Sequence, residues 1–218
     1  LRSYLTPGGS SYQSANFLAV PPGASREYSN LGAALAALIV ERAAGEPYHA
    51  HVHRVLTEPL GLRSAAWQWE RRGSTAPSEL YVQDSAATTR IARYALASYP
   101  DGGLQMSVED LATYFAFVLG DGRVAGARII DGDALREMRR FQWTAQRKPA
   151  DIELSDGNSG LFWRTKFGGR RIGHGGNDPG VVAEMLTDAA GRVGIVLLAN
   201  TSLHGDANRH LPTIIDAL

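Results

Sequence analysis

Two short stretches hold side chains of the kind that move protons or grip a polar substrate. The first is Glu27-Tyr28-Ser29-Asn30, shortly after Pro22-Gly23 and just before an apolar helix. A phenol can give up and recover a proton, and a carboxamide donates and accepts hydrogen bonds at once. Two residues apart on an extended turn, Tyr28 and Asn30 point the same way. The plainer reading is that Tyr28 packs and Asn30 caps the helix, a position asparagine favours. The second stretch is Gly173-His174-Gly175-Gly176-Asn177-Asp178-Pro179-Gly180, between two strand-like segments. An imidazole changes charge near neutral pH, and glycines in a strand mark close approach by a ligand or another backbone. The plainer reading is a glycine-rich hairpin with an incidental histidine.

Other chemistries are excluded by what the chain lacks. With no Cys among 218 residues, disulfides, thiolate nucleophiles and Cys-ligated zinc are ruled out. Gly-x-Ser-x-Gly, His-Glu-x-x-His and a phosphate-binding glycine loop are all missing. His49, His51 and His53 alternate. On a helix only the first and last share a face, and no carboxylate lies at ligand spacing, so a solvated helix face is expected rather than a metal site. No metal or cofactor is expected. Trp67 and Trp69 read as core or cleft wall. Lys+Arg and Asp+Glu both total 22, so bulk charge offers nothing to nucleic acid or an anionic membrane. The longest apolar run, Leu31 to Val40, is far short of the ~20 residues that span a bilayer. The arginine pairs at 71–72, 139–140 and 170–171 read as solvated surface.

The elements that must position these side chains change character along the chain. The first thirty residues, rich in Pro, Gly, Ser and Tyr, read as loop with at most a short helix. A helix is predicted from Leu31 to about Ala44, with Asn30 or Ser29 as cap, a stripe of Leu31, Leu35, Leu38 and Ile39, and Gly45 as the stop. Pro47 restarts a helix that Pro59-Leu60-Gly61 ends. A weak helical pattern covers Ala87–Leu96. Ser107-Val108-Glu109-Asp110 has the spacing of a capping box before a face of Leu111, Tyr114, Phe115 and Val118, and a short helix follows over Asp133–Phe141. The period then shifts from about 3.6 to 2. Gly160–Phe167, Arg170–His174, Val181–Thr187 and Val193–Asn200 are predicted strands, the last two joined through Ala189–Arg192. The continuous apolar run of the last strand predicts a central one covered on both faces. A closing helix is expected over Asp206–Leu218, with Leu211, Ile214, Ile215 and Leu218 inward and Pro212 near its start. The fold class is α+β: a mainly helical subdomain (1–145), then an antiparallel sheet with a C-terminal helix (146–218), as parts of one domain.

Taken together, these segments resemble the serine β-lactamase-like hydrolases: class C β-lactamases, D-alanyl-D-alanine carboxypeptidases, D-aminopeptidases and related esterases. Pro22-Gly23 followed by Tyr28-Ser29-Asn30-Leu31-Gly32 looks like the family's Tyr-x-Asn motif and the helix after it. Glu58-Pro59-Leu60-Gly61-Leu62 looks like the turn after the next helix. Tyr99-Pro100-Asp101-Gly102-Gly103-Leu104, with Asp110 beyond, is similar to another family segment. His174-Gly175-Gly176 looks like the His-x-Gly form of a motif that is Lys-Thr-Gly in typical β-lactamases. The first motif, Ser-x-x-Lys, is absent: three residues before Lys148 and Lys166, the only lysines, stand Ala145 and Trp163. In the family that motif lies upstream of Tyr-x-Asn, so the chain is expected to lack the N-terminal part of its domain, which a missing segment or a second chain would supply.

The resemblance implies a catalytic set of Tyr28, Asn30 and His174, and a substrate-binding set of Gly175, Gly176 and Asn177. Tyr28 would serve the absent serine as base and later as acid. Asn30 would bond the acyl side of the substrate and the absent lysine. His174 would face Tyr28 across the cleft, and the Asn177 N–H would supply half an oxyanion hole. The implied substrate is a small molecule or short peptide. Because a neutral histidine is a weaker anion anchor than lysine, the pattern leans towards esters or D-amino-acid amides over β-lactams. The rival reading is a non-catalytic relative that binds peptide or glycan in the same cleft. Loss of the N-terminal strands is also expected to leave a sheet edge and an apolar face open.

Overall fold

The shift of period after residue 160 becomes a four-stranded antiparallel sheet with a helix against each face. The computed structural model describes residues 1–70, 76–84, 87–203 and 210–217. Arg71-Arg72, residues 206–209 of the expected closing helix and Leu218 lie outside the described residues.

The front of the chain holds a short helix α1 (Arg2–Leu5), a 3-10 turn (Ser14–Asn16) and the long helix α2 (Asn30–Ala44). Ser29 is the cap of α2: its Oγ accepts from the Gly32 N–H at 2.9 Å, and Gly45 stops the helix at φ 70°. Helix α3 (Tyr48–Val52) follows Pro47 and runs on as a π turn over His53–Thr57. The expected apolar stripe of α2 is only partly buried. Ala34 and Ala37 face inward, whereas Leu35 is 40% and Ile39 62% exposed. Leu31 and Leu38 of the same stripe are half-buried.

Strand β1 (Ala66–Trp67) pairs with β4 (Leu104–Gln105). Between them the expected helix over 87–96 is instead a strand. β2 (Leu80–Gln83) and β3 (Thr88–Ile91) are antiparallel, with Tyr81 opposite Arg90. Thr88, Thr89 and Ile91 are β-branched and suit an extended chain. Helix α4 (Val108–Leu119) opens as its spacing predicts, with Ser107 Oγ accepting from the Asp110 N–H. The second half of the capping box goes elsewhere. Asp110 accepts from the Ser64 N–H at 2.7 Å and its hydroxyl at 2.5 Å, and Ser64 Oγ accepts from the Ser107 N–H. A hairpin of β5 (Arg123–Val124) and β6 (Ala127–Arg128) leads to α5 (Gly132–Arg139), capped by Asp131.

The main sheet contains β7 (Arg164–Lys166), β8 (Arg171–Asp178), β9 (Val181–Asp188) and β10 (Gly194–Ala199), in the order β10-β9-β8-β7. β11 (Thr201–Leu203) leaves it to run parallel to β2, and α6 (His210–Ala217) closes the described chain. Leu186 and Ile195 pack with Ile215 of α6 in one core. Met185, Val196 and Ile172 face the other core, built on Phe115, Val118, Trp163, Leu60 and Leu62. β10 is therefore covered on both faces, as its apolar run predicts, but it is an outer strand and not a central one. Among the described residues it pairs with β9 alone. An apolar run reports two covered faces, and says nothing of hydrogen-bonded neighbours on two edges. Ile214, expected inward, is 46% exposed.

Two surface expectations are also corrected, for the histidines and for the arginine pairs. His53 is 3% exposed, not solvated. Its ring bonds Thr57 Oγ1 at 2.8 Å and Glu70 at 2.9 Å, while His51 meets Glu46 and His49 stands edge-on to Trp67, Trp69 and Tyr99. Trp67 is buried in this cluster and Trp69 stacks over it at 6.2 Å. Arg139 and Arg171 are half-buried and donate to the carbonyls of Leu119 and Ile215.

Candidate active site

Tyr28 lies in the irregular segment that enters α2, and two contacts fix that segment against the rest of the chain. The Arg26 N–H donates to both Asp151 carboxylate oxygens at 3.1 and 3.2 Å, and the Arg26 guanidinium lies over the Trp143 ring at 5.6 Å. Tyr28 itself is 61% exposed, and the guanidinium of Arg164, at the start of β7, stands 5.8 Å from the centre of its ring. Because Ser29 caps the helix, Asn30 is its first residue. Asn30 is exposed and its amide makes no hydrogen bond among the described residues, so capping does not occupy it.

His174 comes from the neighbouring strand. Arg164 pairs with Gly173, the residue before it. The imidazole is half-buried and its pKa lies below the usual histidine value, first through burial and then through the positive charges of Arg164 and Lys166. At neutral pH it is therefore a neutral ring, able to accept a proton or donate a hydrogen bond. Arg164 thus touches the tyrosine of the front segment and acts through its charge on the histidine of the sheet.

The glycines after His174 have different surroundings. A side chain at Gly175 would meet the Glu184 carboxylate at 2.2 Å, since Glu184 of β9 lies across that glycine. At Gly176 nothing stands within 4 Å, and the strand there borders open space. Asn177 is exposed near the end of β8, opposite Val182. The turn beyond it is held by the Tyr94 hydroxyl, which donates to the Pro179 carbonyl at 2.8 Å. Gly180 adopts φ 80° with Leu80 and Ile91 pressed against it, leaving no room for a side chain.

Neither lysine is free to activate a nucleophile. Lys166 Nζ bonds both oxygens of Glu184 at 2.5 Å, with the two side chains 14% and 7% exposed. Lys148 donates to the Ile152 carbonyl and pairs with Glu153 at 3.6 Å. The arrangement offers an exposed phenol and amide, a neutral imidazole, a guanidinium and an accessible strand end. It can exchange protons and hold polar groups of a ligand. Arg164, Glu184 and Tyr94 carry no motif. The one signal for the first two was the alternation of Arg164 and Lys166 along a predicted strand, which puts two cations near whichever strand pairs with it.

The family model for Beta-lactamase matches residues 11–218. The chain belongs to the beta-lactamase family. Among solved structures it is similar to a D-stereospecific amidohydrolase from Streptomyces sp., with 25% identity, 91% of this chain and 56% of that one covered, and a TM-score of 0.68. A penicillin binding protein from Bacillus halodurans has 18% identity over 91% of this chain and 58% of its own, at a TM-score of 0.66. The D-amino acid amidase from Ochrobactrum anthropi SV3, complexed with D-phenylalanine, has 23% identity over 89% and 62%, at 0.64. The chain thus spans little more than half the length of these proteins. No curated protein matches it. The α+β arrangement of helices and antiparallel strands is that of the beta-lactamase and penicillin-binding-protein fold.

Proposed function

We propose that these 218 residues form the substrate-facing walls of a serine hydrolase, whose Ser-x-x-Lys nucleophile lies outside them. The enzyme acts by acyl-enzyme formation on an ester, a D-amino-acid amide or peptide, or a β-lactam. The observation that carries this reading is that Arg164 stands over the Tyr28 ring and also acts through its charge on His174, in a chain whose family match runs over residues 11–218. The name of the Streptomyces protein, a D-stereospecific amidohydrolase, supports the amide reaction.

A serine hydroxyl attacks a carbonyl only when a base removes its proton. With both lysines of the chain engaged, Tyr28 is the exposed group suited to take that proton and return it to the leaving group. Asn30 bonds the acyl side. His174, neutral, orients the phenol or the polar end of the substrate. The Asn177 N–H donates to the developing oxyanion, a donor of the kind whose loss typically costs ~10²–10³ in rate.

The test is mass spectrometry after a fluorophosphonate probe, on the natural protein that contains these residues and on the 218-residue chain alone. The longer protein is expected to be labelled at one serine outside residues 1–218, and the shorter chain at none. A longer protein that stays unlabelled, and inert towards D-phenylalanine amide, would overturn the reading in favour of a binding protein.

A further inference from the structure

Asp178 is an exposed carboxylate at the end of β8, and among the described residues no cation pairs with it. Leu80 and Ile91 press on Gly180 in the turn that follows, yet Arg90 and Arg93 of that region are both taken by Glu79. His174, Gly176 and Asp178 alternate along β8, so they share one face of the sheet. It is the face of Ile172 and Met185, which pack against the helical part of the chain. At ~3.4 Å per residue, Asp178 stands ~14 Å from His174, with Gly176 and its open space midway. A carbon added at Gly102 would lie 4.0 Å from Asp178 Oδ2, so the loop after the Tyr99–Asp101 turn stands beside the carboxylate. The Tyr94 phenol is close enough for the Asp178 charge, second to burial, to hold its pKa above the usual value.

We propose that Asp178 receives the protonated amine of the substrate, so that the preferred substrate is an amide or peptide of an amino acid whose α-amino group is free. The inference rests on the proposed placement of the reacting carbonyl at the Asn177 N–H. A carbonyl oxygen there puts the α-nitrogen, two bonds from the carbonyl carbon, within reach of the residue that follows. An ammonium donates three hydrogen bonds and carries the charge that a carboxylate attracts, whereas an acylated nitrogen is neutral. The ring nitrogen of a β-lactam and the nitrogen of an N-acyl ester bear no such charge. Asp178 thus narrows the range of substrates to those with an amine beside the scissile carbonyl.

The test is calorimetric titration of the natural protein that contains these residues with D-phenylalaninol and with 2-methyl-3-phenylpropan-1-ol, in which a methyl group replaces the ammonium. Neither alcohol has a carbonyl, so neither is turned over. An exposed charge pair corresponds to a preference for the amine of about fivefold at low ionic strength, shrinking as salt is added. Asp178→Asn is expected to abolish the preference, and Asp178→Glu to keep part of it while also confirming that position 178 tolerates change. Equal binding of the two alcohols, an amine preference that survives in Asp178→Asn or is unaltered by salt, or no binding of either would overturn the proposal. The measurement needs no nucleophile. A protein that takes no fluorophosphonate label loses the hydrolase reading and leaves this one to its own result; a labelled protein that binds both alcohols equally loses only this one.

Discussion

Replacing Gly175 by alanine puts a methyl group where the Glu184 carboxylate lies. The added carbon would stand 2.2 and 2.6 Å from the two carboxylate oxygens and 2.4 Å from Cδ, against the ~3.5 Å of ordinary contact. A carboxylate ends a flexible side chain and could swing aside cheaply if it were free. Here both oxygens are bonded to Lys166 Nζ at 2.5 Å, and the pair is largely closed to water. Overpacking alone costs about 1–3 kcal/mol, and breaking a buried pair about 3–5 kcal/mol. The variant is therefore expected to lose between those limits, or about 2–4 °C in Tm per kcal/mol for a chain of this size. Two neighbours calibrate it. At Gly173 the methyl would meet the Met185 carbonyl oxygen at 2.0 Å, and backbone on the paired strand cannot rotate away, so Gly173→Ala should cost most. At Gly176 nothing lies within 4 Å, so alanine should be neutral, or stabilising by up to ~1 kcal/mol through the unfolded chain. Urea unfolding of the three variants gives the order directly. Adding Glu184→Ala to Gly175→Ala should cost less than Glu184→Ala alone, since the clash is gone. Equal stability of Gly175→Ala and Gly176→Ala, or strict additivity in that pair, would refute the argument.

Two further outcomes follow from the hydrogen bonds and charges. Asp110→Ala leaves the Ser64 N–H and hydroxyl without their acceptor in a half-buried site, and should lower stability by about 1–3 kcal/mol in urea unfolding, with α4 still formed by circular dichroism. His174 has a folded pKa below its usual value of 6.5, so the unfolded chain binds the proton more readily. Its contribution to stability is complete above that value and declines as pH falls from there towards the folded pKa. Thermal melts between pH 8 and 5 should show this decline in the parent chain and a smaller one in His174→Gln; parallel curves would remove the assigned cause.

The reach of the sequence can be traced residue by residue. Local signals were legible: Ser107 and Gly45 bound their helices, and the alternation after residue 160 gave the sheet. Pairings between distant segments left no local trace. β2 is short and half-buried, β3 is short and mostly exposed within a stretch whose pattern fits a helix as well, and β11 reaches β2 only after the chain has crossed the main sheet. The outer position of β10 was equally hidden, because edge and centre differ in hydrogen bonding and not in apolar content. Tyr28, Asn30 and His174 stood out through flanking glycines, proline and a helix start. Arg164 did not, because an arginine on a strand is ordinary until its neighbours are known.

Those neighbours explain why the chain keeps three basic side chains within or beside the end of one sheet without mutual conflict. Lys166 is neutralised across the strand by Glu184, which removes it as a base and fixes Gly175 as glycine. Burial first, and then the positive charges of Arg164 and Lys166, hold His174 unprotonated. If Glu184 were lost, Lys166 would become a second free cation near His174, and the histidine pKa should fall further still. An NMR titration of His174 in Glu184→Gln decides the point: a rise, or no change, would mean that burial alone sets the protonation of the ring and that the charges around it are incidental.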